Sequence, residues 1–356
     1  MKQNKNIAVI CNYELHANRI GGMDRFFVAY DEICKKAGFT IVWFFSGGKK
    51  YDFYRALNLH IASGDLENYF IEFQKEYKFD VVITHFMELC TSFYKQIKTH
   101  GNPQLIAVDH NPRPIEGFTL KKQLKNKIKG FLYSRYVNQF IGVSQYTAES
   151  IITDFGHHLK RKTRVIYNGV ETNVYLKRIA ENSAKFIVAS HLRPSKGIQD
   201  LIKAVAEIPP ALRHDLQIDI YGEGPMKQEL TQLVKCYKLE KNIIFKGSVS
   251  NLYELYKHYS YLLHPTYMEC FSLSILESLA SNVPVVTTPV GGNEEIIEDE
   301  VNGYIFPTKD IRALTQILSE ILSKKRDIKK NVSLKIEKDF TLQIMVENHF
   351  KILECI

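Results

Sequence analysis

The 356-residue chain is longer than a single hydrophobic core ordinarily grows, so two domains are expected. Its 45% hydrophobic and 24% charged residues are those of a soluble globular protein, and no apolar run approaches the ~18 residues of a membrane span. Six scattered cysteines with no CxxC or zinc spacing exclude a disulfide framework, and a formal charge of +8 suits phosphate-bearing ligands or an anionic membrane surface.

The amino terminus has no apolar secretory region and leads into Ile7-Ala8-Val9-Ile10, a continuous apolar run expected to be a strand covered on both faces. With reduced thiols this predicts a cytoplasmic protein. A loop ends in Gly21-Gly22, where backbone can approach a bound group or simply turn tightly into the helix that starts at Met23 and stops at Gly38. Strands follow at residues 41–45, 81–83 and 105–108, with helices predicted over 66–77 and 90–97. The 105–108 strand delivers His110 at its carboxyl end, a position open to ligand contact or to a structural hydrogen bond.

Residues 118–136 place Leu120, Leu124, Ile128, Phe131 and Leu132 at helical spacing among Lys121, Lys122, Lys125, Lys127, Lys129 and Arg135. Such a basic amphipathic helix either packs on its domain with a solvated polar face or rests on anionic lipid headgroups. A strand at 140–144 and a helix capped by Ser144 or Thr147 come next, then a last strand at 164–170 containing the turn Asn168-Gly169. The polar, aperiodic segment 171–184 marks the boundary, giving a first domain at 1–170 and a second at 171–339.

The second half restarts the alternation, with strands at 186–189, 216–221, 243–245, 259–263 and 283–287 and helices between them. Two helical stretches, 310–323 and 342–354, close the chain. Strand-helix alternation throughout predicts an α/β protein of two doubly wound Rossmann-like domains facing each other across a cleft. The His157-His158 pair and Glu298-Asp299-Glu300 read as solvated surface.

The loop after the first strand of this half carries Arg193 and Lys196, charges suited to a diphosphate. A second loop, at 264–272, runs into a helix whose candidate caps are Ser272 and Ser274, and whose free N–H groups favour an anion. Asn282 closes that helix in the left-handed conformation before Pro284. Glu269 and Glu277 flank the helix start; carboxylates there accept from vicinal hydroxyls of a sugar or ribose, although either residue alone reads equally as a solvated charge. GxxxxGK[ST], GxGxxG, HExxH and GxSxG are absent, as is an Asp-x-Asp pair, so no cofactor and no metal site are expected.

The frame Glu269-x7-Glu277, with Phe271 and Leu273 between and Pro284-Val285 after, resembles the GT4 family of retaining glycosyltransferases of the GT-B fold. The likeness extends over most of the chain. It includes Gly21-Gly22, His110, Asn168-Gly169-Val170, residues 192–197, the segment Gly222-Glu223-Gly224-Pro225 and residues 290–295. The resemblance implies that Arg193 and Lys196 bind the donor diphosphate, Glu277 the ribose and Glu269 the transferred sugar. It further implies donor contacts from the backbone of Phe271, Ser272 and Leu273, from Gly21, Gly22 and Gly222, from the segment Gly247-Ser248-Val249 near the base, and from His110. By the same resemblance a carboxy-terminal helix at 340–356 packs back on the first domain.

Three positions depart from the family pattern: Glu171 stands for the usual Asp, His191 where many members carry Arg, and Cys270 for a common Gly. Cys270 therefore narrows the space beside the donor sugar or packs inward. The activity implied is transfer of a hexose-type sugar from a UDP- or GDP-linked donor to a hydroxyl of a glycan or lipid-linked acceptor in cell-surface polysaccharide or lipopolysaccharide synthesis. Membrane contact would run through the basic helix 118–135; nucleic acid is not an expected partner. Other readings are a nucleotide-sugar epimerase, a phosphorylase sharing the fold, and a non-catalytic partner subunit.

Overall fold

A computed structural model describes residues 5–17, 20–178 and 184–354. The extreme amino terminus, part of the loop before Gly21, part of the expected linker (179–183) and Cys355 lie outside the described residues. The chain divides into two compact units, Met1–Asn168 with Leu342–Ile356, and Gly169–Thr341. The division falls just before the expected Val170 boundary because Val170 donates to Phe340 O (3.0 Å) and pairs with Thr341.

In the first unit the elements are β1 (Asn6–Glu14), α1 (Gly22–Lys36), β2 (Thr40–Gly47), β3 (Leu59–Ile61), α2 (Leu66–Glu76), β4 (Val81–His85) and α3 (Ser92–Thr99). They continue with β5 (Gln104–Asp109), α4 (Leu120–Tyr133), β6 (Gln139–Gly142), α5 (Gln145–Phe155) and β7 (Thr163–Val165). All pairs are parallel, in the order β3-β2-β1-β4-β5-β6-β7. Helices cover both faces, so β1 is buried from Ile7 to Cys11 and β4 throughout, which is why they read as unbroken apolar runs. Alternate residues feed two cores. Ala8, Ile10, Val42 and Phe44 meet Phe70, Phe93 and Ile97, while Trp43 and Phe45 meet Phe27 of α1 on the other side.

Three local features differ from the sequence reading or go beyond it. The half-buried β3, a three-residue edge strand, carried no apolar run to announce it. The predicted strand at 164–170 shortens to Thr163–Val165, because its amide partners on β6 end at Gly142. The third concerns α4, whose only buried residues are Asn126 and Gly130; its apolar side faces outward rather than into the core.

In the second unit follow β8 (Lys185–Ala189), α6 (Ile198–Glu207), β9 (Gln217–Tyr221), α7 (Lys227–Cys236), β10 (Ile243–Gly247), α8 (Leu252–Leu255) and β11 (Tyr261–His264). After them come α9 (Leu273–Ala280), β12 (Val285–Thr287), α10 (Asn293–Ile296), β13 (Gly303–Ile305), α11 (Ile311–Leu322) and α12 (Leu334–Asp339). The sheet is again parallel, ordered β10-β9-β8-β11-β12-β13. The last helix, α13 (Leu342–Glu354), belongs to the first unit. It lies on α1, with His349 against Phe26 (5.0 Å between ring centroids) and Lys5 Nζ donating to Leu353 O at 2.9 Å.

Candidate functional site

In a doubly wound sheet, ligands bind beyond the carboxyl ends of the strands where the strand order reverses. The second unit reverses between β8 and β11, which are hydrogen-bonded neighbours, so the loops that follow them lie side by side. Their contact is fixed by backbone. Tyr267 N–H donates to Ser195 O at 2.7 Å and the Thr266 hydroxyl to the same oxygen at 3.2 Å. Gly197, at φ +68°, lies so close to Pro265 that a Cβ would sit 1.8 Å from its carbonyl oxygen. Gly291 after β12 stands likewise against Glu269, where a Cβ would be 2.0 Å from the carbonyl oxygen.

This stitching brings Lys196 Nζ into an ion pair with Glu269 Oε1. His264 Nε2 lies 3.2 Å from the same carboxylate oxygen and 3.2 Å from the Ser272 hydroxyl. Burial alone would raise the Glu269 pKa, but the Lys196 charge and the His264 hydrogen bond more than offset it and hold it at about 2. Burial pushes His264 down. A carboxylate this firmly ionised serves as a hydrogen-bond acceptor and not as a proton donor.

Ser272 is the N-cap of α9, but neither serine caps as expected: the Ser272 hydroxyl meets His264, and Ser274 donates to Ala189 O at 2.9 Å. No side chain caps this helix among the described residues, which leaves its positive end turned to the site. Glu277 lies further along α9 and accepts from the buried Tyr256 hydroxyl at 3.2 Å. Asn282, at φ +59°, ends the segment after α9 in the left-handed region as its sequence position predicted. Cys270 is buried, so it packs inward, and Phe271 meets Phe340 at 5.4 Å. Leu273 is half-buried at the helix start.

Arg193 is exposed and stands apart from the ion pair. Gly222 has a packing role: at φ +137° its Cβ position is 1.9 Å from Ser190 O. Ser248 and Val249 leave β10 at the sheet edge, Ser248 exposed, and no hydrogen bond or ion pair among the described residues joins them to Lys196 or Glu269.

The first unit reverses between β1 and β4. Gly21 stands at this edge as the N-cap of α1, its N–H donating to Asp24 Oδ2 at 2.7 Å. Its φ of −105° is open to any residue and a Cβ would meet nothing closer than 3.6 Å, so neither backbone nor packing demands glycine there. Gly22 opens the helix and is buried.

His110 follows β5, stacked on Phe86 at 4.1 Å with its Nε2 3.0 Å from His85 Nδ1. Phe86 holds φ +59°, an uncommon setting for a bulky residue and one that persists only where the surrounding structure over-determines the backbone. Burial, then the nearby His349, lowers the His110 pKa to about 3. Because His85 Nε2 is buried without a partner, and an orphaned N–H costs more than an orphaned lone pair, we assign the His85 proton to Nδ1. His110 then accepts at Nε2 and carries its own proton on Nδ1.

Sequence reasoning left His264, Tyr256, His85 and Arg113 without roles. Arg113 is ion-paired with Asp109 (2.8 Å) and Asp154 (2.9 Å), and cavities of about 330 and 410 Å³ meet around it and Phe118. Only His264, next to the two-glutamate frame, had a signal that could have found it.

Residues 174–338 match the family model described as glycosyl transferases group 1, and residues 35–174 match glycosyltransferase family 4. The chain is 28% identical over 192 residues to the N-acetyl-alpha-D-glucosaminyl L-malate synthase of Bacillus anthracis, covering 48% of this chain and 50% of that protein. It is 25% identical to the poly(ribitol-phosphate) alpha-N-acetylglucosaminyltransferase of Staphylococcus aureus, covering 65% of this chain and 46% of that protein. The chain spans about half the length of the curated relatives it matches. Among solved structures, Anabaena HepE in complex with UDP and glucose superposes with a TM-score of 0.80 at 18% identity, over 99% of this chain and 100% of that one. That likeness is one of fold.

Proposed function

The chain belongs to the group 1 glycosyltransferases, with the GT-B fold, and on that premise we propose that it moves a hexose-type sugar from a nucleoside-diphosphate sugar to a hydroxyl acceptor with retention of configuration. The observation that carries this reading is the Lys196–Glu269 ion pair at the switch point of the second sheet, beside the uncapped start of α9. On donor binding Lys196 leaves Glu269 for the diphosphate, joined by Arg193 and the α9 N–H groups. Glu269 is thereby freed to accept from the hydroxyls of the transferred sugar, and Glu277 accepts from the ribose.

In the transfer, the bond from the sugar C1 to the diphosphate oxygen breaks and a bond to the acceptor oxygen forms on the same face. The acceptor proton passes to the departing phosphate. Lys196, Arg193 and the helix end stabilise the charge that develops on the leaving diphosphate, so the chain's own cations take the part a metal ion plays elsewhere. Glu269 positions the sugar and is not a nucleophile. No cofactor enters this scheme.

Of the UDP- and GDP-linked donors expected, the UDP-linked one has the support of a protein of similar fold solved with UDP. A glycan acceptor, free or lipid-linked, is favoured by the named activity of the staphylococcal relative. The free thiols of Cys11, Cys34, Cys90, Cys236 and Cys270 suit a cytoplasmic setting.

A thermal-shift screen across UDP-, GDP- and ADP-linked sugars, followed by a donor-hydrolysis assay, tests the reading. One donor class should stabilise the protein and be slowly hydrolysed, and Glu269→Ala should abolish turnover with the fold intact. Undiminished turnover in that variant would overturn the assignment.

A further inference from the structure

We infer that the outward face of α4 docks on an anionic lipid bilayer. Leu120, Leu124 and Ile128 recur every four residues and Phe131 follows three on, so the four share one side of the helix. They are 82%, 64%, 51% and 73% exposed. The opposite side is what holds the helix to its unit. Asn126 and Gly130 are buried there, and a Cβ on Gly130 would lie 1.9 Å from Phe155 O of α5, so the two helices meet backbone to backbone. The apolar stripe is therefore not a core face that missed its partner.

Charge selects the occupant. Residues 118–136 contain five lysines, one arginine and no acid. Lys122 and Lys129 reach Glu88 at 3.4 and 2.7 Å, whereas Lys121 and Lys125, beside the stripe, have no ion-pair partner among the described residues. A surface that covers this face must be apolar at its centre and negative at its rim. A second copy of the chain would set the same lysines against one another, which is repulsive. An anionic bilayer meets both demands, with the apolar stripe at the acyl boundary and the ammonium groups among phosphates. The helix spans about 21 Å, enough to lie in the interface, and no helix among the described residues is long and apolar enough to cross. Phe118 and Lys122 also line the 330 Å³ cavity, so docking brings that cavity to headgroup level. Its use for a lipid-anchored hydroxyl acceptor rests on the transferase reading; the docking does not.

Flotation with phosphatidylcholine vesicles, and with vesicles of equal parts phosphatidylcholine and phosphatidylglycerol, reads docking without any sugar donor. The full chain should float with the anionic vesicles alone and be released by salt. Leu124→Ser with Phe131→Ser, both exposed and outside the α5 contact, should lower the bound fraction about tenfold or more with an unchanged circular dichroism spectrum. Lys121→Gln with Lys125→Gln should lower it about fivefold or more. Equal binding to both vesicle types, no binding to either, or binding indifferent to these substitutions would each overturn the inference. So would a dimer in sedimentation that Leu124→Ser with Phe131→Ser dissolves, since the face would then belong to a second copy.

Discussion

Lys196 Nζ and Glu269 Oε1 form an ion pair across 73 residues of sequence. On the proposed reading the pair joins the group that would hold the donor diphosphate to the group that would hold the donor sugar, so each occupies the other until a donor arrives.

That reciprocal hold sets opposite expectations for the two partners. Lys196→Ala should weaken binding of the nucleoside diphosphate by about 10- to 100-fold, the range of a charge-assisted hydrogen bond. Glu269→Gln should instead bind it as well as the wild type or better, because the lysine no longer has to leave a carboxylate, while losing turnover. Isothermal calorimetry separates the cases, and equal weakening in both variants would refute the exchange of partners.

Acid should act on the pair in a defined window. The Glu269 pKa is about 2 in the folded protein against an ordinary 4.5, so its ionised form adds stability that is complete above pH 4.5. The contribution is lost as pH falls from 4.5 towards 2. Measured by urea unfolding, the gap between wild type and Glu269→Gln should be about 3 kcal/mol near neutrality and close through that window. A gap independent of pH would show that the carboxylate is not held by Lys196.

The histidine cluster of the first unit should respond at higher pH. His110 and His349 have folded pKa values of about 3 against 6.5, lowered first by burial, so the neutral forms belong to the folded state. Their stability is present above pH 6.5 and drains as pH falls towards 3. His349→Phe keeps an aromatic ring against Phe26 and removes one proton-binding site, so its unfolding midpoint should fall less steeply below pH 6.5. Proton uptake on unfolding, read by calorimetry in buffers of different ionisation enthalpy, should drop correspondingly.

Gly291→Ala tests how tightly the loop after β12 is held to the acidic loop. At φ +61° alanine is strained, and its methyl would overlap Glu269 O. A loss of about 2 kcal/mol or more is expected from strain and displacement together. A melting temperature equal to that of the wild type would mean the two loops part freely.

Much of the fold was legible because parallel strands covered on both faces must be continuously apolar, as at Ile7–Ile10 and Val81–Ile83. Turn chemistry placed Asn282 correctly. The short edge strand Leu59–Ile61 escaped notice because a half-buried edge needs no apolar run. Capping logic nominated Ser272 and Ser274, but both hydroxyls found tertiary partners instead. His85 gave no local sign of its part, which depends on β4 and β5 being neighbours.

The amino-acid order by itself determined the α/β alternation and the residue types that suit a sugar and a diphosphate. Hydrophobic periodicity and glycine placement act over short distances, and that is the scale on which they can be read. Strand order decided the rest. It made β8 and β11 neighbours, and so put Lys196 against Glu269 and left Arg193 outside the pair. Tertiary structure also decided which way α4 faces. A helical period shows that an apolar side exists, but only the close seat of Gly130 on α5 turns that side away from the core.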